Sequence, residues 1–398
     1  DGTCTYDPGT AFNALGGNQA ATDSITYTVS DGNGGSDIGT LFINVDGVND
    51  APTANDDDLS VGEDNALLGN VTADNGNGAD SDPDTPDVPF VSEVYGASAD
   101  IGQQITLAAG AVLTLNGSGT FSYDTNGQFE MLNTGETATD SFTYTLVDGN
   151  GGTDTATATI TINGNADEPV AVDDSVSTDE DSPVSGAVLG NDTDADGDGL
   201  SVVEVNGEGG DVGRQITLLA GAFLTLNSDG TFDYDPGTAF QDLSVGQPSS
   251  DSFDYTVSDG NGGTDTATVT INIAGANDTP FAGNDFFSTN EESTLDNLDL
   301  FDNNGGGQDE DIDQLDMIAV SQVQGDGANV GVQIMLISGA LVTVASDGSA
   351  SYDPNGAFEA LAVGDMTTDT FTYQIDDGNG GTDTATVSVG INGVNDAP

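Results

Sequence analysis

The sequence predicts an all-β protein, a tandem array of antiparallel β-sandwich domains, and three observations carry that expectation. A five-residue string recurs at a domain-sized period. Apolar residues between its copies alternate with period two. No long stretch shows helical periodicity.

The string is Asp-Gly-Asn-Gly-Gly. It starts at Asp31, Asp148, Asp259 and Asp377, with separations of 117, 111 and 118 residues. A second anchor follows each copy: Val48-Asn49-Asp50-Ala51-Pro52, Asn165-Ala166-Asp167-Glu168-Pro169, Ala276-Asn277-Asp278-Thr279-Pro280 and Val394-Asn395-Asp396-Ala397-Pro398. Its aspartates keep the same separations. A repeat of this length buries a core of its own, which the short unit of a solenoid does not. The expected domains are the C-terminal half of one repeat (1–52) and whole repeats over 53–169, 170–280 and 281–398. Asp1-Gly2-Thr3 aligns with Asp229-Gly230-Thr231 in the middle of a later copy. The chain therefore reads as a slice of a longer protein, or as a processed subunit whose first half-domain something else completes.

Within a repeat the strands can be taken in order. Ala171–Thr178, Val184–Leu189 and Leu200–Val205 come first, then Ile216 and Leu218. Leu224 and Leu226 pair with Phe232 and Tyr234 across Ser228-Asp229-Gly230. Phe253, Tyr255 and Val257 alternate with polar neighbours, as do Ala267, Val269, Ile271 and Ile273. Between these last two runs lies Asp259-Gly260-Asn261-Gly262-Gly263, a hairpin loop of residues that tolerate positive φ. Seven or eight short strands with turns between them predict a sandwich. The segment 237–243 has room for one helical turn at most.

Composition excludes several functions. Sixty-nine residues are Asp or Glu, Arg214 is the one basic residue, and the formal charge is −68. Such repulsion destabilises a compact chain, so high salt or bound divalent cations must offset it. Nucleic acid and anionic membrane surfaces are excluded as partners, because both need a basic patch. The lack of His and Lys removes the usual bases and Schiff-base residues. A carboxylate pair for glycoside hydrolysis would have to be singular, whereas these aspartates recur in every copy, and no Trp is present to stack a sugar. The chain is expected not to be an enzyme. Cys4, the one cysteine, aligns with Phe121, Phe232 and Ala350 and reads as a small buried apolar residue. Arg214 aligns with Gln103 and is read as incidental.

Calcium takes six to eight oxygen ligands, preferring carboxylates, Asn side chains and carbonyls. The richest cluster for it is Asn191-Asp192-Thr193-Asp194-Ala195-Asp196-Gly197-Asp198. Looser counterparts run through Asp80, Asp82, Asp84 and Asp87, and through Asp309, Glu310, Asp311 and Asp313. In an immunoglobulin-like sandwich this loop and the last hairpin share one end with the N-terminal linker. The loop after the first strand, carrying Glu63-Asp64, Glu180-Asp181 and Glu291-Glu292, lies at the other end. A junction should then gather Glu180 and Asp181, linker Asn277 and Asp278, then Asp309, Asp311 and Asp313, and finally Asp377 and Asn379. The junction before it takes Glu63, Asp64 and Asp167 with Asp192, Asp194, Asp196, Asp198, Asp259 and Asn261. Asn49 and Asp50 with Asp148 and Asn150 mark the first junction. Glu291, Glu292, Asn395 and Asp396 mark the last. Each of these residues also has a plain reading as a solvated turn former.

The stretch from Gly135 to Tyr144 and on through Asp148-Gly149-Asn150-Gly151-Gly152 resembles the VCBS and cadherin-like (Ig-like) tandem repeats of large bacterial surface adhesins. Thr178-Asp179-Glu180-Asp181 and Leu189-Gly190-Asn191-Asp192 resemble the cadherin-like variants of that group, and the Asn-Asp-Xaa-Pro linker is similar to the calcium-binding linker of cadherins. The resemblance implies export to the cell surface, roles in adhesion and biofilm, and Ca2+ at the junctions. Two departures stand out: the long Pro-interrupted loop 74–89, and Asn165-Ala166-Asp167, which breaks the Asn-Asp pair. The expected function is a calcium-rigidified extracellular stalk whose partners are neighbouring repeats. The alternative is a self-assembling filament or surface-layer subunit, in which other copies of the chain complete the half-domain by strand addition. Carbohydrate binding by single repeats finds no aromatic platform.

Overall fold

The computed structural model describes residues 2–395, and among them strands dominate. The chain forms two compact units. One runs through Pro169 and takes in the loops 193–199 and 259–263. The other holds 170–192, 200–258 and 264 onwards. Among the described residues no helix is long and apolar enough to cross a membrane.

In the second unit, the strands of the 170–280 repeat form two four-stranded sheets. One is ordered Asp174–Asp179, Thr264–Ala274, Pro248–Ser258, Ser201–Val205. The other is ordered Val184–Ala187, Thr231–Asp235, Phe223–Leu226, Gln215–Thr217. Alternating side chains explain the sandwich: every second residue of Phe253–Val257 and Ala267–Ile273 is buried, and the residues between them are not. All pairings are antiparallel except one. Asp174–Asp179 runs parallel to the last strand, where the sequence predicted a purely antiparallel sandwich. The first and last strands lie side by side and point the same way, so the repeat takes the chain in at one pole and releases it at the other. The same order recurs over Asp57–Asn163 in the first unit and Asp285–Asn392 in the second. Single 3-10 turns at Ser98–Asp100, Gly209–Asp211 and Gly327–Asn329 were not expected.

One packing detail shows how the sheets stay complementary. Phe121 and Phe232 each sit edge-on to Phe142 and Phe253, with centroids 5.9 and 5.6 Å apart. Across the strand pair stand Gly69 and Gly186, where a Cβ would lie 2.6 Å from the ring. In the last repeat Ala350 replaces the Phe, and its cross-strand partner is Leu298. Large-with-small has become small-with-large, which keeps the volume of the layer.

The segment 2–52 supplies one hairpin, Ala20–Ser30 with Ser36–Asp46. Its Ile25, Tyr27 and Val29 stand where Phe142, Tyr144 and Leu146 stand in the next copy. The former are exposed and the latter fully buried. Cys4 is exposed as well, which corrects its reading as a buried residue: among the described residues no strand pairs with its segment, whereas its counterparts Phe121, Phe232 and Ala350 sit within four-stranded sheets.

Candidate metal centres

Each pole where two repeats meet gathers carboxylates on three supports: the linker, the acidic loop and the last hairpin. In the first unit, Asp84 Oδ2 accepts from the backbone N–H of Asp50 (2.8 Å), and Asp82 Oδ1 accepts from the N–H of Asp84 (2.8 Å). Asn49 Nδ2 donates to Asp148 Oδ2 (2.8 Å) and Asn150 Nδ2 to Asp87 Oδ2 (2.7 Å). Asp82, Asp84 and Asp87 thereby offer oxygens that all lie within 4.8 Å of one another. The loop 74–89, a departure at the sequence level, also docks directly: Thr85 N donates to Ala14 O (3.2 Å) and Gln19 Nε2 to Thr85 O (2.7 Å).

The next pole also lies within the first unit, because the loops 193–199 and 259–263 belong to it. Asp196 Oδ2 accepts from Asp167 N (2.8 Å), and Asn261 Nδ2 donates to Asp198 Oδ2 (2.5 Å). Glu63 Oε1 accepts from Asn165 N (2.5 Å) and Asp64 Oδ2 from Asn165 Nδ2 (3.3 Å). Two acidic groups result: Asp194, Asp196 and Asp198, and Asp64, Glu130 and Asp167. Ala166 occupies the place of Asn49, so the linker side chain that ties Asp148 at the pole before has no equivalent for Asp259. Glu130 was missed in the sequence, although it recurs as Glu359; the middle copy carries Gln241 at that position.

In the second unit, Asp313 Oδ2 accepts from Asp278 N (3.0 Å), Asn277 Nδ2 donates to Asp377 Oδ2 (2.9 Å), and Asn379 Nδ2 donates to Asp316 Oδ2 (2.7 Å). Asp311, Asp316 and Asp377 form the acidic group there. Glu180 Oε1 accepts from Ala276 N (2.7 Å), and Asp181 Oδ1 accepts from Gln241 Nε2 (2.9 Å). Asp316 was also missed, although it stands three residues after Asp313 as Asp87 stands three after Asp84. At the last linker Glu291 Oε1 accepts from Val394 N (2.8 Å) beside Glu292. Asn395 follows, and Asp396 lies outside the described residues.

Two expected ligands face elsewhere. Asp192 accepts from Val172 N (2.8 Å) and from the Tyr255 hydroxyl, and Asp309 accepts from Gly283 N (2.7 Å) and the Tyr373 hydroxyl (2.7 Å). Both carboxylates turn into their own sandwich and satisfy a buried tyrosine, as Asp80 does for Tyr144. The junction groups begin two residues later, at Asp82, Asp194 and Asp311. Asp148, Asp259 and Asp377 each bind the N–H groups of their own hairpin through Oδ1, so the turn-forming reading describes that oxygen. Burial opposes ionisation of Asp148 and Asp377, but hydrogen bonds from the linker Asn and the loop N–H groups outweigh it and hold both carboxyls below the usual range.

The oxygens left over test whether a cation fits. Among the described residues, Asn49 Oδ1, Asp82 Oδ2 and Asp84 Oδ1 at the first pole are buried without a hydrogen-bond partner. So are Glu63 Oε2, Asp167 Oδ2, Asp194 Oδ2 and Asp196 Oδ1 at the second, and Asn277 Oδ1, Asp278 Oδ2, Asp311 Oδ2 and Asp313 Oδ1 at the third. Buried acceptors without donors are costly and rare. Burial, reinforced by neighbouring carboxylates, pushes the carboxyls of Asp82, Glu63, Asp167, Asp278, Asp311 and Asp313 above their ordinary values. An all-oxygen donor set of carboxylates and Asn carbonyls suits a hard cation with a flexible shell, as calcium is.

The chain is similar to several known proteins. Residues 49–164, 166–275 and 277–393 each match the family described as bacterial cadherin-like domain, and residues 1–44 match the bacterial Ig domain. A protein of Rhizobium johnstonii named calcium-binding lectin RapA2 is 30% identical over 243 residues, which cover 56% of this chain and 95% of that protein. Among solved structures, protocadherin gamma B2 extracellular cadherin domains 1–5 align with a TM-score of 0.46 at 15% identity, over 96% of this chain and 67% of that one. Mouse cadherin-23 EC22–24 aligns with a TM-score of 0.45 at 14% identity, over 86% and 99%.

Proposed function

For a chain that belongs to the bacterial cadherin-like domain family, we propose that its repeats, divided at 52, 169 and 280, form an extracellular stalk whose junctions are held by calcium, in the service of adhesion at a bacterial surface. Such a chain is a structural protein and not an enzyme. The observation that carries the reading is the group of partnerless buried oxygens at the three poles, such as Glu63 Oε2 and Asp167 Oδ2 beside Asp194 Oδ2 and Asp196 Oδ1. Calcium would supply positive charge and ligand-binding capacity at these points. Asp82, Asp84 and Asp87 would hold it at the first pole, and Glu63, Asp64, Glu130 and Asp167 with Asp194, Asp196 and Asp198 at the second. Glu180, Asp181, Asn277 and Asp278 with Asp311, Asp313, Asp316 and Asp377 would hold it at the third.

The residues themselves explain why loss of the cation would loosen the linker first. Asp84, Asp196 and Asp313 each accept a linker N–H with one oxygen while the other oxygen is buried without a hydrogen-bond partner. Linker position and carboxylate charge are thus tied through one side chain. Small-angle scattering at fixed ionic strength tests the reading. The maximum dimension should be well defined in millimolar calcium and broaden in chelator, and an unchanged profile would defeat it. The molar mass from the same run addresses the filament alternative, which a single-chain mass excludes.

A second reading, direct carbohydrate binding, is supported by the relative named a lectin. The test is a glycan array probed with this chain in calcium: a signal lost in chelator supports it, and silence in both conditions counts against it.

A further inference from the structure

Inside the whole repeats, one tyrosine hydroxyl sits among more acceptors than it can serve. The Tyr144 hydroxyl lies 3.0 Å from Asn55 O, 3.2 Å from Val71 O and 3.1 Å from Asp80 Oδ2. The Tyr373 hydroxyl lies 3.3 Å from Gly283 O, 3.1 Å from Leu300 O and 2.7 Å from Asp309 Oδ2. A phenol has one proton to give. Beside each cluster stands a further carboxylate. Asp57 and Asp285 are both 1% exposed. One oxygen of each accepts from an amide, Asn75 Nδ2 at 2.7 Å and Asn304 Nδ2 at 3.0 Å, and the other has no hydrogen-bond partner.

Two carboxylates around one phenol proton, with one buried oxygen that receives no donor, need either a cation or a second proton. The phenol oxygen already occupies the centre of the acceptor cluster, where a cation would have to sit. A proton needs no such space. We propose that Asp57 and Asp285 are proton-binding sites of the folded repeats, each occupied in mildly acidic solution and each supplying the missing O–H to its carboxylate–phenol cluster. The sites are separate from the junction oxygens, so the inference does not rest on the calcium reading.

The surroundings support it. Burial drives the Asp57 carboxyl up to about 6. The amide of Asn75 and the Tyr144 hydroxyl work against that rise, and Asp80 and Asp56 add to it. Burial likewise raises Asp285 to about 6, against Asn304 and Tyr373, with Asp309 and Asp299 adding to it. An unfolded aspartate releases its proton near pH 3.9. Between that value and about 6, the folded repeat holds a proton that the unfolded chain has lost. The contribution to stability is therefore complete below the unfolded pKa and disappears as pH rises through about 6.

Asparagine imitates the neutral acid, so the test compares wild type with D57N/D285N in the full chain, at saturating calcium, from pH 5 to 7.5. The variant is expected to melt at least about 2 °C above wild type at pH 7.5, with the gap closing at pH 5. A variant that melts below wild type at pH 7.5, or a gap that ignores pH, would overturn the proposal. Carboxyl 13C NMR of the wild-type protein reads the same sites without substitution. Two aspartate signals should titrate near pH 6 and be missing from D57N and D285N respectively. Titration of every carboxyl below pH 5 would refute it. Neither substitution alters a junction carboxylate, and wild type and variant share that pH dependence, so failure of the test leaves the calcium reading standing.

Discussion

At the scale of single residues, Asp196 shows how one carboxylate is divided between two tasks. Its Oδ2 accepts the N–H of Asp167 and its Oδ1 has no partner. Asp196→Asn keeps an acceptor for the N–H and removes the charge. We expect calcium affinity at that pole to fall by roughly tenfold or more, a loss of about 1.4 kcal/mol, read by isothermal titration, while melting in chelator stays level or rises. Unchanged affinity would remove Asp196 from the ligand set. Proton competition follows from the same groups. Burial and neighbouring carboxylates hold Glu63, Asp167, Asp278 and Asp313 above their ordinary values in the metal-free fold. Their contribution to metal-free stability is present below the unfolded pKa and is lost as pH rises through the raised one. Calcium requires the ionised forms, so its binding should release protons, and apparent affinity should weaken as pH falls from 7 toward 5. Titrations in two buffers of different ionisation enthalpy measure that release. The alternating aspartates were legible in the sequence, but their orientation was not. Asp192 and Asp309 look like their neighbours in the string, and only the fold reveals that a buried tyrosine claims them.

At the scale of elements, the last hairpin is a positioning device. Asp377 Oδ1 accepts from the N–H groups of Asn379, Gly380 and Gly381, and Oδ2 receives the linker Asn277 amide. The hairpin was readable from its glycines and from the strands on either side. Its contact with the linker was not, because it joins residues 100 positions apart in the chain. Gly381 is needed for that approach: a Cβ there would lie 2.9 Å from Asp278 O and 3.0 Å from Asn277 Nδ2. Gly381→Ala should push linker and hairpin apart, costing about 1–3 kcal/mol in the repeat and weakening calcium at the third pole while the first is spared. Site-resolved NMR titration checks this, and an equal loss at all poles would contradict it. The parallel pairing of the first strand also escaped the sequence, since a strand's own pattern says which face is buried and nothing of its direction.

At the scale of the whole molecule, the repeats and the sandwich class were legible, because the period and the alternation are global signals that one substitution does not erase. The sequence left open whether the charge of −68 marks discrete cation sites or general adaptation to salt. The structure supplies the distances for deciding. Salt screens over a Debye length, about 8 Å at physiological ionic strength and about 3 Å at 1 M. The acidic groups at the poles hold their oxygens within 4.8 Å of one another, and several of those oxygens are buried without a donor. Diffuse counterions screen charge but supply no ligand to a buried oxygen, and it is those oxygens that the proposed calcium would coordinate. A bound cation stabilises by mass action, about 2.7 kcal/mol per site at a hundredfold excess over Kd. Sodium chloride should therefore raise the melting temperature of the chelated protein gradually and stop short of the value reached in millimolar calcium, even at 1 M. Magnesium at the same concentration should recover less, since it demands a stricter octahedral shell and gives up water reluctantly. If 1 M sodium chloride in chelator matched millimolar calcium, the junction oxygens would be ordinary acidic surface, and the rigidity of the linkers would have to come from direct contacts such as Thr85 on Ala14 and Gln314 on Asp242.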